Sequence, residues 1–183
     1  MAKFFDTITD QQRDRIQEQK VFFVATAPTS MEGRVNVSPK GMDSFRILGP
    51  NQVAYLDLTG SGNETSAHLN DNGRITVMFC AFEGPPNIIR LFGRGRVVTQ
   101  SSGEWTDFAK LFPDYPGARQ IMVIDVDQTQ DSCGMSVPFF DYRGDRQALV
   151  DLWGQRGPER VRQYWADRNS ESIDGLKPFP LDD

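Results

Sequence analysis

Stretches with strand character follow one another along this chain, and helical stretches interrupt them only between the third and the fourth and between the fifth and the sixth. Val21 to Ala27 is an apolar run rich in aromatic and β-branched residues that ends at Pro28. After a turn at Met31-Glu32-Gly33, Arg34 to Lys40 alternates, which puts Val35 and Val37 on one face and Asn36, Ser38 and Lys40 on the other. Gly49-Pro50-Asn51 makes a turn, and Gln52 to Leu58 reads as a third strand with Val53, Tyr55 and Asp57 at alternate positions. Residues 74–82 and 88–99 form a long hairpin around Glu83-Gly84-Pro85-Pro86, and Gln120 to Val126 is a sixth strand. Strands joined mostly by tight turns lack the βαβ rhythm of a doubly wound sheet. The order therefore predicts a mainly β (α+β) chain, a small six-stranded antiparallel barrel with peripheral helices.

The helices have readable limits. Thr9 and Gln12 have capping-box spacing ahead of a short amphipathic helix that buries Ile16. Asn63 caps a helix over 63–72 with Ala67 facing inward, and Gly73 stops it. Trp105, Phe108, Leu111 and Phe112 predict a helix over 101–112, closed by Pro113 and Pro116. Residues 127–142 read as a loop. Beyond them, Asp145 caps a helix carrying Leu149, Leu152 and Trp153, and Gly157-Pro158 starts another with Val161 and Trp165 on one face. Pro178 to Asp183 reads as a loose tail.

At 183 residues a single domain is the expectation. Acidic residues outnumber basic ones 25 to 20, and a formal charge of -5 gives no general attraction for nucleic acid or an anionic membrane. No apolar run is long enough to span a bilayer, so a soluble, non-secreted, cytoplasmic protein is expected. Cys80 and Cys133 have no metal-type spacing, and Cys80 lies in an apolar run that suits a buried free thiol. With His68 the only histidine, no metal site is expected and a histidine-based triad has little room.

The strongest chemical constellation joins the polar face of Asn36, Ser38 and Lys40 to the turn Thr59-Gly60-Ser61-Gly62-Asn63-Glu64-Thr65-Ser66. Free amides at a helix start, hydroxyls and a nearby ammonium suit a phosphate. The same residue types also serve plain turn geometry and capping. Other motifs reduce to structure. Gly93-Arg94-Gly95-Arg96 lies inside a strand and opens no helix, and Arg143-Gly144-Asp145 is a turn feeding a helix cap. His68 takes a surface or half-buried structural role. Nothing nearby in sequence activates Cys133, and helix packing accounts for Trp105 and Trp153.

Val35 to Gly41, Tyr55 to Thr59, the Gly62-Asn63-Glu64-Thr65 turn and Asn72 to Phe79 together resemble the FMN-binding split-barrel core of pyridoxamine 5'-phosphate oxidase relatives. The similarity spans about residues 16–130. Cys133-Gly134-Met135-Ser136-Val137-Pro138 and the Trp153 helix resemble a branch of that superfamily found in bacteria and fungi. The resemblance implies a split β-barrel over 1–183 with a helical extension at about 143–170. It also implies a homodimer that binds FMN between subunits. Asn36, Ser38, Lys40, Thr59, Asn63 and Thr65 are then the cofactor contacts, with Arg34 or Arg90 in support. In the family's oxidases the turn carries an adjacent arginine and lysine, whereas Glu64 and Thr65 stand here. A Glu64 side chain pointing into the groove favours a neutral or cationic ligand over FMN. The C-terminus also lacks the family's histidine, which argues against vitamin B6 oxidation itself. The expected function is an FMN-dependent oxidoreductase acting on a small molecule, with no catalytic acid or base assigned. The alternative is a non-catalytic dimeric ligand-binding protein that has lost flavin.

Overall fold

The computed structural model describes residues 2–181. In chain order its elements are β1 (Lys3–Phe5), α1 (Asp10–Glu18), β2 (Val21–Thr26), β3 (Asn36–Gly41), β4 (Phe45–Gly49) and β5 (Gln52–Leu58). Then come α2 (Glu64–Asp71), β6 (Arg74–Cys80), β7 (Ile88–Val98), α3 (Trp105–Ala109), β8 (Ala118–Ser132) and α4 (Ala148–Arg168). The strands make one antiparallel sheet in the order β3-β2-β6-β7-β8-β5-β4, with β1 added on β8. The sheet curls around an interior of Phe22, Val24, Val53, Tyr55, Val77, Leu91, Met122 and Ile124, all buried. This is the expected mainly β split barrel, with eight strands among the described residues and not six.

The two added strands are short. β4 pairs only with β5 and all five of its residues are half-buried, so no clear alternation marks it. β1 is three residues long and holds to β8 through backbone register. β8 runs on to Ser132, well past the predicted end at Val126, because β7 and β1 supply hydrogen-bond partners along its polar half. β8 bulges at Asp127, opposite the Phe92–Gly93 step of β7, and a Cβ on Gly93 would meet the Asp125 carbonyl oxygen at 2.1 Å.

The Thr9–Gln12 capping box forms in both directions, and Gly73, at φ 73°, ends the central helix. Three helix expectations need correction. α3 covers only Trp105–Ala109. Asn63 precedes α2 but makes no side-chain cap bond, and Gln147, not Asp145, precedes α4. Residues 148–168 are two helical pieces meeting at Gly157, whose φ of 75° breaks the helix just before Pro158. Nor is the C-terminal stretch loose as far as it is described. The Phe179 amide bonds Ser66 Oγ at 3.1 Å and its ring packs on the barrel core; residues 182 and 183 lie outside the described residues. Cys80 and Cys133 are both free thiols.

Candidate functional site

β3 is an edge strand with its faces inverted. Val35 and Val37 are 70% and 61% exposed, while Asn36, Ser38 and Lys40 turn inward across from Thr26, Val24 and Phe22 of β2. These inward groups form a hydrogen-bonded ladder. Ser38 Oγ donates to Asn36 Oδ1 at 3.1 Å, and Asn36 Nδ2 reaches Thr65 Oγ1 at 3.2 Å and Thr26 Oγ1 at 3.4 Å. Thr26 Oγ1 lies 2.9 Å from His68 Nδ1. His68 is therefore buried, at 1% exposure, and not on the surface or half-buried; its Nε2 has no partner. Burial holds its pKa below the ordinary value despite the nearby carboxylates of Glu64, Asp174 and Asp71. The buried Tyr55 hydroxyl also has no hydrogen-bond partner within range.

Lys40 belongs to a different cluster. Its Nζ meets Asp57 Oδ1 at 2.8 Å, while Arg119 reaches Asp57 Oδ2 from Nη2 at 2.6 Å and from Nε at 3.0 Å. Gln120 Nε2 bonds the same oxygen at 3.0 Å and Asn63 Oδ1 at 2.7 Å. Burial opposes ionisation of Asp57, but the Arg119 and Lys40 charges and these hydrogen bonds outweigh it and hold the carboxyl well below the usual carboxylate range. Arg119 also donates to the Gly62 carbonyl at 3.0 Å, tying the network to the turn before α2. Sequence reasoning did not find Arg119 or Gln120. The β5–β8 register, which sets Asp57 opposite Gln120, is what brings them in.

The turn itself is covered by the C-terminal extension. Trp165 Nε1 donates to Thr59 Oγ1 at 2.7 Å, and Trp153 Nε1 donates to the Thr59 carbonyl at 3.0 Å. Asn169 Nδ2 bonds the Gly60 carbonyl at 3.2 Å, and Asn63 Nδ2 bonds the Asn169 carbonyl at 3.3 Å. The Glu64 carboxylate accepts the Ile173 amide at 3.1 Å. Asp174 accepts the Arg34 amide at 2.6 Å and pairs with its guanidinium.

The six expected contacts thus divide. Asn36, Ser38 and Thr65 share the ladder, Lys40 is neutralised by Asp57, and Thr59 and Asn63 are fully enclosed. The supporting arginines lie elsewhere, Arg34 on Asp174 and Arg90 on Gln130 and Ser132. A groove of about 980 Å³ opens at the N-terminal end of β2, between Phe79, Phe82, Ile89 and Phe140 with Arg15 and Lys20 at its rim, and none of the six lines it. Amide and hydroxyl groups in series fit the polar edge of a flavin ring. The enclosed turn, with a carboxylate at its helix start, does not fit a flavin phosphate.

A family model described as pyridoxamine 5'-phosphate oxidase matches residues 8–133. The pyridoxamine 5'-phosphate oxidase family protein ustO of Aspergillus flavus is 37% identical over 196 residues, an alignment covering 96% of this chain and 77% of the relative. Among solved structures, HupZ of Group A Streptococcus aligns with TM-score 0.53 and 23% identity over 67% of this chain and 91% of its own. A Clostridium acetobutylicum protein related to general stress protein 26 of B. subtilis, of the pyridoxinephosphate oxidase family, gives TM-score 0.53 and 13% identity over 67% and 86%. At those identities the two structures bear on the fold alone. The family match over most of the barrel, the relative aligned over 96% of this chain and the split-barrel topology agree: the chain belongs to the pyridoxamine 5'-phosphate oxidase family.

Proposed function

We propose that the chain is a flavin-linked oxidoreductase acting on a small molecule other than a vitamin B6 compound, working as a homodimer. The observation that carries this reading is the inward ladder of Ser38, Asn36 and Thr65 on an edge strand. A strand that buries its polar side chains and exposes its apolar ones is oriented for a ligand within and a protein partner without. When bound, a flavin supplies hydride transfer. The chain's own part is to orient the ring through the Asn36 amide and the Ser38 and Thr65 hydroxyls. Lys40 acts from behind as half of the ion pair with Asp57, which fixes the inner end of β3. The partner subunit would cover Val35, Val37 and Pro39.

The test is direct. The purified protein should show flavin absorbance in the visible range or, if isolated without it, quench added flavin fluorescence on titration. A colourless protein that leaves the fluorescence of both FMN and riboflavin unchanged overturns the reading. Glu64 favours a second one, a dimeric binding protein that kept the barrel and gave up flavin, since its carboxylate stands at the start of α2 where an anionic cofactor needs positive charge. That reading predicts tight binding of an uncharged or cationic ring compound with no flavin binding at all.

A further inference from the structure

The turn entering α2 has the composition of an anion cradle but the surroundings of a socket already filled. Thr59, Asn63, Glu64 and Ser66 each bond a group of the C-terminal extension, namely the Trp165 indole, the Asn169 carbonyl, the Ile173 amide and the Phe179 amide. Farther along α2, Asn70 Nδ2 bonds the Lys177 carbonyl at 3.0 Å, so the segment follows the helix for nearly its whole length. The enclosure is deep, with Thr59, Ser66 and Asn169 at 0% exposure and Asn63 at 2%.

Charge points the same way. Lys40 and Arg119 are both held by the one Asp57 carboxylate, Arg34 is paired with Asp174, and the Glu64 carboxylate, which accepts the Ile173 amide, adds negative charge at the helix start. A phosphate dianion entering there would be an uncompensated charge in a poorly hydrated place, and it would have to displace hydrogen bonds already made. An uncharged ring meets neither obstacle at the ladder, where Asn36 and Ser38 are half-buried.

We infer that the turn before α2 is a docking socket for the chain's own C-terminal segment, and that the site beside it selects flavins by the ring without gripping a phosphate. The inference deepens the flavin reading above and rests on it. Riboflavin accordingly binds as tightly as FMN or more tightly.

Parallel fluorescence-quenching titrations with riboflavin and FMN test this, with hydrogen exchange at Ile173 and Phe179 followed at saturation. Equal affinities or a preference for riboflavin, with both amides still protected, are expected. FMN binding tenfold or more tightly than riboflavin overturns the inference and leaves the flavin reading standing, as does FMN-induced loss of protection at Ile173. Quenching by neither ligand overturns the flavin reading and the inference together. Glu64→Gln, which retains an acceptor for Ile173, removes the local negative charge; it should tighten FMN by about fivefold while leaving riboflavin unchanged. Equal shifts for the two ligands, or none for FMN, overturn the electrostatic account.

Discussion

Asp57 shows how completely a buried charge depends on its neighbours. Four hydrogen bonds from Lys40, Arg119 and Gln120 converge on a carboxylate whose side chain is 2% exposed. Replacing it by asparagine leaves Arg119 buried without its counter-charge, and Asp57→Asn should lower stability by about 3–5 kcal/mol, read from urea unfolding midpoints. The pH dependence has a definite sign. The folded carboxyl titrates below its unfolded value of about 3.9, so its contribution is complete above that pH and is lost as the pH falls toward the folded value. The Asp57→Asn protein should therefore show a shallower acid decline between pH 4 and pH 2, measured by thermal melting. His68 acts in a higher window. With its folded pKa depressed, it stabilises fully above about pH 6.5, and this is lost as the pH drops below that value. His68→Gln should flatten the stability profile between pH 6.5 and pH 5. Of these residues, Asp57 was legible only as one position in an alternating strand. Arg119 lies 62 residues away and enters through strand register, which local pattern does not encode.

At the scale of elements, what the sequence discloses follows local backbone chemistry. The capping box and the Gly73 stop are set by neighbours within a few residues, and both are present in the structure. Gly157-Pro158 as a break between helical pieces is equally local. A Cβ at Gly157 would touch nothing within 4 Å, but its φ of 75° is left-handed. Gly157→Ala should thus cost about 1–2 kcal/mol through backbone strain alone, visible as a lower melting temperature without altered ligand affinity. β4 and the outer half of β8 escaped because their strand character comes from partners, β5 for one and β7 with β1 for the other. The ladder was readable for a complementary reason: strict alternation in residues 34–40 groups Asn36, Ser38 and Lys40 on one face. Which face turns inward depends on the place of β3 at the sheet edge.

Across the whole molecule two surfaces were decided by distant parts of the chain. One is the outward face of β3 and β2, where Val35, Val37 and Pro39 lie beside the half-buried Phe23 and Ala25. If it carries the dimer, Val37→Lys should convert a dimer to a monomer by light scattering while leaving the fold intact by circular dichroism. The other is the covered turn. Its residue types suggested an anion cradle, and nothing local announces that Trp165, 106 positions beyond Thr59, returns to fill it. That return has a practical corollary. Two of the three tryptophans end on the same threonine, and Trp105 sits apart against the barrel wall beside Val98 and Phe112. The natural emission of the protein therefore reports mainly on one joint, and a red shift on warming that precedes the loss of sheet ellipticity would register the C-terminal helices lifting off an intact barrel.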